Sequence, residues 1–190
     1  MFRVALLVVA LLGLNIGTSF SAAATETDCY TGDNAKLTNP EHWNVGYRAC
    51  TQLIESKTGK ARATAYSARS AWLRRLKQYD EALADTRRAI AIDPANVEFY
   101  DAQADIHLDN GNLDGASDSY ERAIRTDRNY APAYVGRGDV ARRKGDLERA
   151  RASYNAALAT TPTRVNDTTG LQQWAHRAAA DRLKALDEKK

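Results

Sequence analysis

The sequence predicts an all-α protein: a short solenoid of three stacked helix pairs, with a helix before them and a capping helix after them. Three observations lead to this prediction. Aromatic and small residues recur every 34 positions, each copy holds two helical stretches with an apolar face, and a short turn separates the two. A 34-residue period is typical of stacked helix–turn–helix units. Such units bury their apolar faces only against each other, which produces a solenoid with one concave side.

Four sets of equivalent positions carry the period. A tyrosine lies near the start of each copy, two alanines lie in its second helix, and an aliphatic residue follows the second alanine. These positions are Tyr66, Tyr100 and Tyr134; Ala82, Ala116 and Ala150; Ala89, Ala123 and Ala157; and Ile90, Ile124 and Leu158. The repeats are therefore predicted at 63–96, 97–130 and 131–164, within a repeat region of 61–164. Their internal turns are expected near Lys77, Gly111 and Gly145.

The first 24 residues predict a signal peptide. Arg3 precedes an apolar run over 4–14, and small residues follow as far as Ala24. A basic start, a short apolar core and a small-residue end are the three parts of a secretory signal. The run is shorter than the ~20 residues that cross a bilayer, although a retained N-terminal anchor is the alternative. We therefore expect an exported protein, periplasmic or secreted, with no membrane span after signal removal.

A polar stretch over 25–39 predicts an N-terminal loop, and a helix is predicted over 40–60. Asn39 can cap this helix, and Pro40 suits its first position. Apolar residues then recur at helical spacing until Gly59, where we expect the helix to have stopped. This stripe consists of Trp43, Tyr47, Cys50, Leu53 and Ile54.

The chain has two cysteines, Cys29 and Cys50, both ahead of the repeats. In an exported chain an even number of cysteines favours a disulfide. A redox or metal-binding pair is the alternative, but the sequence has no Cys-x-x-Cys and no histidine pattern nearby. The disulfide is the interpretation that the sequence favours.

The period ends after Pro162, and residues 165–190 predict a C-terminal capping helix with a polar outer face. Thr169 and Gln172 have the spacing of a capping box at its start. Trp174 leaves a second interpretation open, in which this segment docks on a partner or in the groove of its own chain.

With these residues in view, the chain resembles the tetratricopeptide repeat proteins over a little more than half of its length. The family pattern is matched by the positions above and by Ala104, Tyr120, Gly138, Tyr154, Pro94 and Pro162. Departures are Ser70, Thr86, Lys77 and Arg128. The resemblance implies a right-handed α-solenoid that holds protein or peptide ligands along the first helices of its repeats. The signal peptide and the cysteine-bearing helix make the whole chain similar to small exported repeat proteins of Gram-negative bacteria.

Composition and motifs argue against other classes of function. Lys and Arg total 27 against 24 Asp and Glu, and they are not gathered into a basic patch for nucleic acid. His42, His107 and His176 are scattered without a metal-ligand spacing, and His107 is expected to pack in the core. No phosphate-binding loop or nucleophile motif occurs. We therefore predict a non-catalytic protein without a cofactor.

The candidate ligand groove carries charges of both signs. Four acids on one predicted helix lie within an arc of roughly 80° on the side away from the core. These are Glu98, Asp101, Asp105 and Asp109, with Asp139 on the next repeat and with Arg74, Arg75, Arg142 and Arg143 at the flanking positions. The charges could neutralise one another between adjacent helices. Alternatively, an acidic trough with basic edges could recruit a segment that carries Lys or Arg.

The family's carboxylate clamp, with Lys and Asn facing the groove, is not matched. Its positions hold Ser67, Ala71, Ala102, Pro132 and Gly136, so binding of a chaperone C-terminus is not expected. The sequence predicts a scaffold that binds another protein or peptide segment in its groove. The alternative is a structural component that associates with copies of itself within an envelope assembly.

Overall fold

The computed structural model describes residues 26–30, 40–161 and 170–188, and all regular structure in these ranges is helical. The signal peptide predicted at 1–24 lies outside them, as do most of the 25–39 segment and residues 162–169. The helices are α1 Glu26–Tyr30, α2 Pro40–Ser56, α3 Gly59–Arg75, α4 Tyr79–Ile92, α5 Val97–Asp109, α6 Leu113–Thr126, α7 Ala131–Arg143, α8 Leu147–Leu158 and α9 Leu171–Asp187. In none of the ranges described does a helix have the length and apolar character needed to cross a membrane.

The three predicted repeats are three helix pairs: α3 with α4, α5 with α6, and α7 with α8. Each pair also packs on the next, and the first helices of successive pairs contact each other. The first pair begins earlier than predicted. The helix expected over 40–60 ends at Ser56, and residues 59–60 already belong to α3. Thr58 has an extended backbone, so the break lies just before Gly59.

Small residues allow the helices to approach closely. Both alanines of every second helix, at 82 and 89, 116 and 123, and 150 and 157, are fully buried. Tyrosine rings fill the space beside them: Tyr154 packs directly against Gly138, where an added Cβ would lie 2.4 Å from the ring. Because such contacts leave no room for an extra methyl group, the pairing of helices depends on the small residues that define the repeat.

A polar contact joins the two helices of every pair at equivalent positions. In the first pair the guanidinium of Arg69 donates to the buried carboxylate of Asp85 at 2.6 and 2.9 Å. The same positions hold Gln103 and Ser119 in the second pair, 3.3 Å apart. In the third pair they hold Arg137 and Ser153, 3.1 Å apart. Each contact satisfies polar atoms at a buried interface, so it fixes the register of the two helices.

Each pair turns through a residue with a positive φ. These residues are Lys77 (φ 60°), Gly111 (φ 75°) and Gly145 (φ 81°), again 34 positions apart. The amide of the next residue bonds five positions back in all three turns, as in a Schellman motif. Glycine adopts this backbone conformation without strain, whereas a side chain is disfavoured there by roughly 1–2 kcal/mol.

The turns provide a direct test of this cost. Lys77→Gly should stabilise the protein by up to about 1 kcal/mol, because it relieves a strained backbone at an exposed residue. Gly111→Ala should destabilise it by about 1 kcal/mol, and Gly145→Ala by a similar amount, because alanine is strained at a positive φ. No steric clash adds to this cost, since an added Cβ meets no atom within 4 Å at either position. Urea unfolding measures all three. Destabilisation by Lys77→Gly would contradict the explanation.

The N-terminal segment is fastened to α2 by a covalent bond and to the first pair by a hydrogen bond. Cys29 and Cys50 form a disulfide. The indole nitrogen of Trp72 donates to the carbonyl of Cys29 at 3.1 Å, and the Trp72 ring lies against Gly46. The loop predicted over 25–39 is interrupted by α1, a five-residue helix. Cys29 is buried in it, and this tertiary contact holds a turn of helix that the polar sequence alone does not predict.

Reduction of the disulfide should destabilise the protein by about 3 kcal/mol, because a closed loop of this length restricts the unfolded chain. Urea unfolding with and without dithiothreitol measures the effect. A Cys29→Ser, Cys50→Ser variant is the control, since its stability should be low and indifferent to the reductant. Equal stability of the oxidised and reduced protein would contradict the prediction.

The last helix, α9, packs on both α7 and α8. It begins after Gly170 (φ 64°), which has no side chain that could cap the helix. Thr169 lies outside the described residues, and Gln172 does not complete a capping box. Its side-chain amide donates to the carbonyl of Asn129 at 2.6 Å and its oxygen accepts from the amide of Ala131 at 3.0 Å. A contact to α7 has replaced the local cap.

Candidate functional site: the groove of the first helices

The groove is the surface formed by α3, α5 and α7, with the start of α9 at one end. Two cavities open in it. The α3–α5 cavity has about 180 Å³ and is lined by Ser70, Ala71, Arg74, Glu98, Asp101, Ala102, Asp105 and Ile106. The Trp174 cavity has about 270 Å³ and is lined by Asp101, Asp105, Leu108, Tyr120, Pro132, Val135, Gly136, Asp139, Arg143, Leu171 and Trp174. Asp101 and Asp105 border both, so the two cavities are adjacent.

Asp105 lies at the junction of the two cavities and is held from two directions. The hydroxyl of Tyr120, on the second helix of the same pair, donates to it at 2.9 Å. The guanidinium of Arg74, on the preceding first helix, donates to it at 2.8 Å and lies 3.6 Å from Asp109. Asp109 itself is exposed at the end of α5. Part of the predicted acidic trough is thus neutralised within the protein.

Asp101 has a different environment. Its carboxylate accepts a hydrogen bond from the hydroxyl of Tyr130 at 3.3 Å. Burial, together with the negative charges of Asp105 and Glu98, raises the pKa of Asp101 to about 7, against the opposing effects of Tyr130 and Arg74. The raised pKa of Asp101 thus comes first from the burial of its carboxyl group and then from the negative charges beside it. Glu98 adds to it from an exposed position on the α3–α5 cavity.

Asp139 repeats the arrangement of Asp105 one pair later. The hydroxyl of Tyr154 donates to it at 2.8 Å. Burial, with the bond to Asp139, raises the pKa of Tyr154 to about 12. Its cationic partner lies on the following helix and not on the preceding one. Arg182 on α9 donates to both oxygens of Asp139 at 2.8 and 3.0 Å.

The four predicted arginines separate in the structure. Arg74 and Arg143 line the groove cavities. Arg75 instead lies with its guanidinium 5.9 Å from the centre of the Trp72 ring. Arg142 borders a third cavity of about 630 Å³ between α8 and α9, and its guanidinium is 3.9 Å from Asp139. Two of the four predicted arginines, Arg74 and Arg143, therefore line the groove cavities, and Arg75 and Arg142 do not.

The tyrosine hydroxyls and Arg182 are parts of the groove that the sequence did not predict. Asp105 and Asp139 recur at the repeat period, and so do Tyr120 and Tyr154, so their pairing could have been inferred from the period. Arg182 follows the end of the repeats, and no sequence signal connects it with Asp139.

The described residues contain no group of three or more His, Cys, Asp or Glu placed to hold a metal ion. His107 is half-buried, and its ring packs against Gly115. Burial lowers its pKa, and the charge of Arg87 lowers it further. The groove offers carboxylates beside small and apolar side chains, an arrangement that can bind a cationic group next to an apolar one.

Comparisons with known proteins agree with this architecture. Models of the tetratricopeptide repeat match residues 63–96 and 102–165, together just over half of the chain. No curated protein is similar enough in sequence to count as a relative.

Solved structures share the fold at low sequence identity. The first repeat domain of Spaghetti (RPAP3), bound to the HSP90 peptide SRMEEVD, has a TM-score of 0.55 at 19% identity over 70% of this chain and 95% of its own. PcrH, in complex with the chaperone-binding region of PopD, has a TM-score of 0.59 at 14% identity over 70% and 96%. MamA has a TM-score of 0.56 at 18% identity over 84% and 95%.

The raised pKa of Asp101 predicts a pH dependence of stability. The unfolded carboxyl titrates near 3.8 and the folded one near 7. The folded state therefore binds the extra proton, and its contribution to stability, full below pH 4, is lost as the pH rises through 7. Asp101→Asn removes this dependence and keeps an oxygen for Tyr130.

We expect the stability of the wild type relative to Asp101→Asn to fall by a few kcal/mol between pH 4 and pH 8, since one pKa unit corresponds to about 1.4 kcal/mol. Urea unfolding at a series of pH values measures the difference. Glu55→Gln, at an exposed position on α2, is the control and should leave the profile of the wild type unchanged. Parallel profiles for the wild type and Asp101→Asn would contradict the prediction.

Proposed function

Because the chain belongs to the tetratricopeptide repeat family, we propose that it is a protein–protein interaction scaffold that holds a peptide or protein segment in the groove of its first helices, without a chemical step. The observation that carries the proposal is the pair of adjacent cavities along α3, α5 and α7. A rigid wall of helices presents side chains in fixed positions. On binding, the segment therefore loses conformational entropy, whereas the scaffold loses little.

Solved structures of the same fold support the binding of a peptide or protein segment. RPAP3 is seen with an HSP90 peptide and PcrH with a region of PopD. The ligand chemistry of this chain should differ from that of RPAP3. The peptide SRMEEVD carries three acidic residues. The groove here presents Glu98, Asp101 and Asp105, while Ala71 and Ala102 stand where the clamp of the family has Lys or Asn. Like charges would repel, so a ligand with Lys or Arg fits better.

The proposed location is the cell envelope of the exporting organism, in the periplasm or outside the cell. Two features support it: the signal-like sequence over 1–24, and the disulfide between Cys29 and Cys50, since disulfides persist in oxidising compartments.

The second candidate function is a structural, self-associating component. Its specific support is Leu147, which is 51% exposed at the cavity between α8 and α9, whereas the equivalent Leu113 is packed against the core. Light scattering separates the two: a stable monomer favours reversible binding of a segment, and a defined oligomer favours the structural role.

Photo-crosslinking in the native cell tests the proposed function. A benzophenone amino acid at Ala102, on the floor of the groove, should yield cross-links to a partner. The same group at Asn155, which is exposed on α8, is the matched control and should yield few. Cross-linking at Ala102 should fall at least several-fold in a variant with Asp101→Asn and Asp105→Asn, which keeps oxygens for the tyrosine hydroxyls. Equal yields from Ala102 and Asn155, or none from either, would contradict the proposal.

A further inference from the structure

The C-terminal helix continues the row of first helices. Gln172 fastens its first turn to Asn129 and Ala131 at the start of α7, and Arg182 fastens its fourth turn to Asp139. Arg74 joins α3 to α5 in the same way, through Asp105. Helix α9 therefore lies where the first helix of a fourth repeat would lie, and its N-terminal turn is fixed at the edge of the groove.

This position gives the groove an apolar end. Leu171 and Trp174 line the Trp174 cavity together with Leu108, Pro132 and Val135. Trp174 is 47% exposed, whereas Trp72 is 4% exposed against the disulfide. A half-exposed tryptophan beside a cavity of about 270 Å³ can bury more of its ring against an incoming group. As an indole, it also attracts a cation to its face.

The same cavity has negative walls. Asp105 and Asp139 each have an arginine partner, from α3 and from α9. Asp101 accepts a hydrogen bond from the neutral hydroxyl of Tyr130, and it lies next to Asp105. Arg143 lies on the rim and is exposed. The charge at the centre of the groove is therefore complementary to a cation, immediately beside the apolar end.

We propose that α9 is a part of the binding site as well as a cap, and that the site takes a partner segment in which a large apolar side chain lies next to Lys or Arg. The apolar side chain enters the cavity against Leu171 and Trp174, and the cation lies at Asp101 and Asp105. This inference rests on the proposed function and adds the chemistry of the ligand and the participation of α9.

Selection from a phage-displayed library of random twelve-residue peptides tests the inference on the purified full chain. The expected result is enrichment of peptides with an aromatic or large aliphatic residue within two positions of Lys or Arg. The most enriched peptide, made synthetically, is the probe, and its binding is followed by tryptophan fluorescence and by calorimetry.

Trp174→Ala should weaken binding of this peptide by at least tenfold, and Trp174→Phe by less, because a ring remains. The double variant Asp101→Asn, Asp105→Asn should weaken it at least fivefold at low salt and by less at high salt. Leu158→Ala is the matched control: it removes a comparably exposed apolar side chain of α8 that lines neither groove cavity, and it should bind as the wild type does. Thermal unfolding by circular dichroism verifies that each variant is folded.

The failures are distinguishable. Enriched peptides that lack the apolar–basic pair, or that bind Trp174→Ala as tightly as the wild type, would overturn the inference and leave the proposed function standing. Absence of any enriched peptide would count against both. Trp174 emission that changes with protein concentration would show a second copy in the groove, and an indole shielded from acrylamide without peptide would show a segment of the same chain; either result overturns the inference.

Discussion

Close approach of the helices is the constraint on which the structure depends. Two fully buried alanines per second helix bring each pair together, and a tyrosine ring fits against the bare backbone of Gly138. Interiors packed at this density respond to a single added methyl group. Because the buried alanines recur every 34 residues, each pair packs on the next in the same order, and the first helices lie side by side. The groove is a consequence of that packing.

The packing also sets the electrostatics of the groove. Tyr120 and Tyr154 belong to second helices, yet their hydroxyls reach through to Asp105 and Asp139 on the groove side. A carboxylate held by a tyrosine hydroxyl in this way keeps one orientation. The first pair lacks the arrangement, since it has Ala71 and Thr86 at the equivalent positions, and it supplies Arg74 instead. The negative charge is thus concentrated at the middle of the groove and does not extend along its whole length.

The repeat could be predicted from the sequence because equivalent positions in the three copies carry the same kind of residue. The helix pairs, the turns at Lys77, Gly111 and Gly145, and the fold class follow from it. Features outside the period could not be predicted. Helix α1 is five residues long and depends on the burial of Cys29, and Arg182 meets Asp139 only because α9 docks alongside α7. The different locations of the predicted arginines were also not foreseen. Neighbours in sequence, such as Arg74 and Arg75, project from a helix in directions about 100° apart.

A groove of this kind selects its ligand partly by exclusion. An acidic segment would add a further negative charge beside Asp101, whose pKa is already raised by two neighbouring carboxylates and by burial. A cation at the same point lowers the free energy of the charged form of Asp101, so its binding and the loss of the Asp101 proton are linked. Binding of a basic segment should therefore tighten as the pH rises through 7, while the protein without ligand becomes less stable over the same range. Ligand affinity and the stability of the free protein change in opposite directions with pH because both depend on the Asp101 carboxyl group. Its charge is unfavourable in the empty groove, and a bound cation offsets that cost.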